Sequence, residues 1–113
     1  MARNIIDLPT LGDDGKLYRD TAVDMVESLI PNPWESCHAP DLLELENGDL
    51  LCCWFAGSRE GNADISIAVA RLPADAEQWE QPVIVSDDPT RSEQNPSLFQ
   101  NPNGDIWLMY TAQ

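Results

Sequence analysis

Six side chains in three short stretches of this sequence could do chemistry together: His38, then Arg59, Glu60 and Asp64, then Gln94 and Asn95. Two carboxylates, Glu60 and Asp64, are what general acid–base cleavage of a glycosidic bond uses. Asp64 is the preferred acid, because it is expected to open a strand and so to have a rigid mount. The forked guanidinium of Arg59 suits a sugar carboxylate. His38 can act as general base or as a hydrogen-bond donor to a sugar, and Gln94 and Asn95 supply amide contacts. Each residue also has a plainer reading. Arg59 with Glu60 makes a surface ion pair of small value, His38 a hydrogen-bonded structural residue, the acidic pair a solvated loop, and Asn95 before Pro96 a turn former. Cys37 beside His38 suggests a thiol dyad or a metal ligand pair, but nothing is spaced to complete a zinc site. No metal and no cofactor is expected.

An internal repeat sets the elements that must hold these residues. Pro40 laid over Pro96 aligns Leu42 with Leu98 and Leu43 with Phe99, and Asn47-Gly48-Asp49 with Asn103-Gly104-Asp105. Leu50-Leu51 then fall on Ile106-Trp107, and Trp54 on Tyr110, at a constant offset of 56 residues. Each copy reads as a hairpin whose Asn-Gly marks the turn. The paired apolar segments are 40–45 with 50–55, and 96–100 with 106–111. Two further strands are expected between the copies, at 64–72 and 82–86. A single helical turn is the reading of 74–80, and 22–30 fits strand or helix. Four strands followed by a restart is the unit of an all-β propeller blade. The expected organisation is an N-terminal segment 1–35 supplying an outer closing strand, a first blade 36–93, and the first two strands of a second blade 94–113.

Antiparallel strands alternate in direction, so the entry to a blade's first strand and its second-to-third loop share one face. His38, Arg59, Glu60, Asp64, Gln94 and Asn95 therefore fall at one end of the blades, and both Asn-Gly turns at the other. Trp54, Trp79 and Trp107 suit blade packing, whereas Trp34, flanked by prolines, is the aromatic expected at the surface.

The run from His38-Ala39-Pro40 through Asn47-Gly48-Asp49 and Trp54-Phe55-Ala56-Gly57-Ser58-Arg59-Glu60-Gly61 to Asp64-Ile65 resembles the sialidase (neuraminidase) superfamily of BNR-repeat proteins. It is most similar to the bacterial exo-α-sialidase-like branch, and Gln94-Asn95-Pro96-Ser97-Leu98-Phe99 fits the same pattern. The resemblance implies a six-bladed propeller in the full-length parent and cleavage of a terminal, acidic sugar from a glycan. His38 stands where that family carries the arginine of its Arg-Ile-Pro motif. Arg59 lies where a second arginine follows the second strand. Glu60 or Asp64 falls in the loop that bears the family's acid. Asp75 and Trp79 sit where its Asp-box joins the third and fourth strands, without the Ser and Gly. The resemblance places the tyrosine–glutamate nucleophile pair beyond residue 113. A non-catalytic carbohydrate-binding or scaffolding propeller, or an inactive fragment, is the alternative.

Composition limits the partners. The chain has 113 residues and a formal net charge of −14, from 20 acidic against 6 basic residues. Such a field repels nucleic acid and anionic membranes. The three cysteines include the neighbours Cys52 and Cys53, which a strand points to opposite faces, as small buried hydrophobes of a reducing compartment. The first residues carry no apolar run of signal-peptide length, giving a cytoplasmic expectation with secretion of a longer parent left open. A propeller closes with at least four blades. The chain is therefore expected to be an N-terminal piece, inactive alone and able to self-associate through open strand edges.

Overall fold

The computed structural model describes residues 5–7, 11–20 and 22–113. Every regular element among them is a strand, and the chain is all-β. Strands β1 (Ile6–Asp7), β2 (Tyr18–Asp20) and β3 (Met25–Glu27) form a small three-stranded sheet, with β1 parallel to β2 and β3 antiparallel to it. Strands β4 (Ser36–Glu44), β5 (Leu50–Gly57), β6 (Ser66–Leu72) and β7 (Val83–Ile84) form a four-stranded antiparallel meander in that order. Strands β8 (Glu93–Gln100) and β9 (Ile106–Ala112) make a hairpin, and β8 packs across β4, β5 and β6. One four-stranded, propeller-type sheet is thus packed face to face with a two-stranded hairpin.

The residue pattern explains the packing. In β5 the run Leu51-Cys52-Cys53-Trp54-Phe55-Ala56 has no polar alternation, because both of its faces are covered. Odd-numbered positions point at β8: Leu51, Cys53 and Phe55 join Leu45, Ile65, Ile67 and Leu98 in one core. Even-numbered positions point the other way, where Cys52, Trp54, Ala68, Ala70 and Leu72 meet Leu17 and Trp79. Each large side chain fully buried, such as Phe55 or Ile67, contributes about 1.5–3 kcal/mol.

The N-terminal segment lies on this second face. Ile5, Ile30 and Trp34 pack against the core there, and the Trp54 indole donates to Asn32 Oδ1 at 3.2 Å. The Trp79 amide donates to the Gly15 carbonyl at 2.9 Å, and Lys16 bridges to Gln78. Gly15 has φ +75°, and a Cβ there would lie 3.3 Å from Trp79 Cβ. The expected helical turn at 74–80 is not formed. Ala76 N–H bonds to the Pro73 carbonyl in a single turn, and the chain then extends so that Trp79 can reach the core.

Both hairpin turns differ from a two-residue Asn-Gly turn. Leu45 pairs with Asp49 and Asn101 with Asp105, each across a three-residue loop. Only the glycines, Gly48 and Gly104, take the left-handed conformation there, at φ 90° and 89°; this is a type I turn with a glycine bulge. Asn47 and Asn101 instead accept backbone N–H groups. Asp49 additionally accepts from Arg71 Nε and from the Ala74 amide, both at 2.8 Å. These bonds, Arg71 foremost, lower its pKa.

Candidate functional site

Each hairpin's first strand is interrupted at the same place. In β4 the register passes from His38↔Phe55 to Asp41↔Cys53, so Ala39 and Pro40 together face Trp54. In β8 it passes from Gln94↔Thr111 to Ser97↔Met109, so Asn95 and Pro96 face Tyr110. Proline has no N–H to give the ladder, and a bulge is where a strand accommodates it. Ala39 and Asn95 take up the extra length with φ 53° in both. Positive φ is costly for a residue with a Cβ. The two bulges turn the segments that carry His38 and Gln94 relative to the strands beyond.

His38 is exposed. Its ring meets Phe55 edge-on, with centroids 5.6 Å apart, and Nδ1 lies 3.9 Å from Glu60 Oε2. Glu60 and Arg59 sit in the β5–β6 loop. That loop is closed by hydrogen bonds from the Asn62 amide to the Arg59 carbonyl and from the Ile65 amide to the Asn62 carbonyl, and by Asn62 Nδ2 on Ser58 Oγ at 3.2 Å. Gly61, at φ +92°, makes the reversal, with open space where a Cβ would stand. His38, Arg59 and Glu60 therefore share one end of the blade.

The other three candidates are placed differently. Asp64 is exposed in the turn, and β6 begins only at Ser66; the rigid strand mount expected for it is absent. Its Oδ2 accepts the Ser58 amide at 3.3 Å, a local side-chain-to-backbone bond that competes with ladder pairing. Gln94 is buried, donating through Nε2 to Ser92 Oγ at 2.8 Å, while its carbonyl accepts from the Thr111 hydroxyl. Asn95 is exposed at the crest of the second bulge.

Two concave regions flank this end. A cavity of about 280 Å³ is walled by Ile30, Asn32, Cys37, His38, Pro40 and Trp54. A shallow hollow of about 380 Å³ lies against Trp34, Glu35, Ser58 and Asp64. Trp34, expected at the surface, is half-buried, edge-on to Trp54 at 6.4 Å. Sequence reasoning missed Glu35, Ser58 and Asn32. The pairing Ser36↔Gly57, extended by one step, would have set Glu35 beside Ser58. It also missed Glu93, which is 1% exposed, accepts weakly from the Asp88 amide at 3.4 Å and holds the Tyr110 hydroxyl. Desolvation first, then the charge and hydrogen bond of Glu93, push the Tyr110 phenol up. No sequence pattern marked that pair.

Burial, then the nearby charge of Asp41, pushes the thiols of Cys52 and Cys53 up to about 11. Both are protonated packing groups at neutral pH. Cys37 is the exposed cysteine. Among the described residues, no three His, Cys, Asp or Glu side chains are grouped to hold a metal, and no helix is long and apolar enough to cross a membrane.

Paired bulged hairpins at a constant offset, stacked as blades, define a repeat family. Residues 48–113, more than half of the sequence, match the BNR repeat-like domain. The chain belongs to that family. The BNR repeat-like match opens in the first hairpin turn and takes in Arg59, Glu60 and Asp64 together with both strands of the second hairpin. No curated protein and no solved structure matches the chain.

Proposed function

We propose that this BNR repeat-like chain supplies part of the sugar-binding end of a sialidase-like glycoside hydrolase that acts on a terminal, acidic sugar of a glycan. Its pattern is most like the bacterial exo-α-sialidase-like branch. The observation that carries the reading is the convergence of His38, Arg59 and Glu60 at one blade end, with His38 Nδ1 3.9 Å from Glu60 Oε2. Arg59 faces the sugar carboxylate with a planar fork of donors. Glu60 is the general acid that protonates the departing glycosidic oxygen. His38, 3.9 Å from Glu60, donates to a sugar hydroxyl. Asn95 offers an exposed amide at the next blade's bulge.

One observation favours the binding-only alternative. Asp64 is tied to the Ser58 amide, so of the two carboxylates in this loop one has a structural task, and glycoside cleavage uses two. Calorimetry with sialyllactose and with lactose, on the chain and on Arg59→Ala, separates the readings from failure. Binding of the acidic sugar alone, lost in Arg59→Ala, supports the site. Release of free sialic acid in the same mixture supports hydrolysis by residues of this chain; binding without release supports the sugar site alone, since the resemblance places the nucleophile pair beyond residue 113. Equal affinity for the neutral sugar would remove the acidic-sugar reading.

A further inference from the structure

The hollow beside the His38–Arg59–Glu60 end combines groups that hold a sugar ring. It has a volume of about 380 Å³ and lies between the approach to β4, which brings Trp34 and Glu35, and the β5–β6 loop, which brings Ser58 and Asp64. Gly57 also lines it, and a Cβ there would stand 2.8 Å from Ile65 Cδ1 and 2.9 Å from the Asp64 carbonyl oxygen. Only glycine lets β5 run this close to the turn that carries Asp64. Trp34 is half-buried and held edge-on by Trp54 at 6.4 Å, so its ring is fixed while part of it stays accessible. Glu35, Ser58 and Asp64 are exposed. Asp64 takes the Ser58 amide on Oδ2 at 3.3 Å, and a carboxylate has about four lone-pair sites, so it keeps capacity to accept more. Ser58 Oγ accepts from Asn62 Nδ2 at 3.2 Å and retains its own proton to donate.

This set has a chemical preference. Carboxylates accept from hydroxyls in short, charge-assisted hydrogen bonds, and two of them repel a further acid. The negative face of an indole ring meets the polarised C–H bonds of a pyranose. An aromatic wall with two acceptor carboxylates and one hydroxyl donor therefore selects a neutral, hydroxyl-rich ring over an acidic one. Ser58 is the chain neighbour of Arg59, so the hollow adjoins the guanidinium assigned to the sugar carboxylate. Resting on the reading that this end binds a terminal acidic sugar, we propose that the hollow is the subsite for the neutral hexose to which that sugar is linked. Trp34 is its platform, and Glu35 and Asp64 accept its hydroxyls. The subsite adds affinity to a glycan anchored at Arg59 and does not replace that anchor. The chain then distinguishes glycans by the residue behind their acidic end.

Calorimetry with sialyllactose and with methyl sialoside, which lacks the neutral sugars, tests this, with circular dichroism to verify the strand content of each variant. The wild-type chain is expected to bind sialyllactose about tenfold tighter than methyl sialoside. Trp34→Ala and Glu35→Ala are each expected to cut that ratio below about threefold and to leave the affinity for methyl sialoside within about twofold. Arg59→Ala is expected to weaken both ligands. Glu35 is exposed, so its variant carries the test if Trp34→Ala loses its strand signal. Equal wild-type affinity for the two ligands, or a ratio that survives both substitutions, overturns the subsite and leaves the acidic-sugar reading standing. Failure of either ligand to bind the wild-type chain overturns that reading and the subsite with it.

Discussion

Ala39 and Asn95 stand 56 positions apart and hold the same left-handed backbone, φ 53° in each. A left-handed alanine costs on the order of 1–2 kcal/mol, and such strain persists where surroundings over-determine it, often beside a functional site. Here the bulges present His38 and Asn95 at the same end of two stacked blades. Ala39→Gly is expected to raise stability by about 0.5–1 kcal/mol, the relief exceeding the entropy glycine adds to the unfolded chain. Ala39→Val is expected to lower it by more than ~1 kcal/mol. Urea unfolding of the two variants checks both signs; a stabilised valine variant would contradict the assigned backbone.

The sheet-to-sheet core depends on Leu98 and Phe55. Leu98→Ala is expected to cost ~2–5 kcal/mol and Phe55→Ala ~3–5 kcal/mol. The same truncation at Leu42, 60% exposed, should stay within about 0.5 kcal/mol in dilute solution. Chemical denaturation at low protein concentration measures all three.

Asp49 holds the first hairpin turn to β6 and to the turn after it, through Arg71 and Ala74. Its folded pKa lies below the ordinary 3.8. A depressed carboxylate contributes stability that is present above its unfolded pKa and lost as pH falls through the folded one. The stability difference between wild type and Asp49→Asn is therefore expected to be constant near neutrality and to shrink as pH drops below 3.8. A difference that persists unchanged into stronger acid would show that the turn is held by something else.

Thiol chemistry separates the cysteines. Cys37 is exposed, whereas Cys52 and Cys53 are buried with pKa values near 11. A thiol reagent at neutral pH is expected to titrate one group promptly in the native chain and three in denaturant. Prompt reaction of a second thiol would mean that one of the two covered faces of β5 opens readily, the one beneath the N-terminal segment for Cys52 or the one beneath β8 for Cys53.

Much of this architecture could be read from residue order. The Asn-Gly-Asp repeat with its flanking apolar pairs located both hairpins, and β5 betrayed its burial on two faces by its unbroken apolar run. Other features gave weaker signals for physical reasons. Strands β1 to β3 are two or three residues long, too short for a period to show, and their place is set by tertiary contacts such as Gly15 against Trp79. Alanine carries no mark of left-handed backbone, so the bulge at Ala39 was invisible even though Asn95 and the two prolines were in view. Strand β4 starts at Ser36 rather than at Pro40 because pairing resumes on the near side of that bulge. In the site, the grouping of His38, Arg59 and Glu60 followed from strand direction alone. The inward turn of Gln94 and the stapling of Asp64 did not, since each depends on a single hydrogen-bond partner, Ser92 and Ser58.

The central claim is that a terminal acidic sugar binds at the blade end carrying His38, Arg59 and Glu60. Titration of the isotopically labelled chain with sialyllactose, followed by nuclear magnetic resonance, tests it most directly. Saturable shifts at His38, Arg59, Glu60 and Asn95, with the Asn47–Asp49 and Asn103–Asp105 turns at the opposite end unmoved, are the predicted result. An unperturbed spectrum, or shifts gathered at those turns, would contradict it.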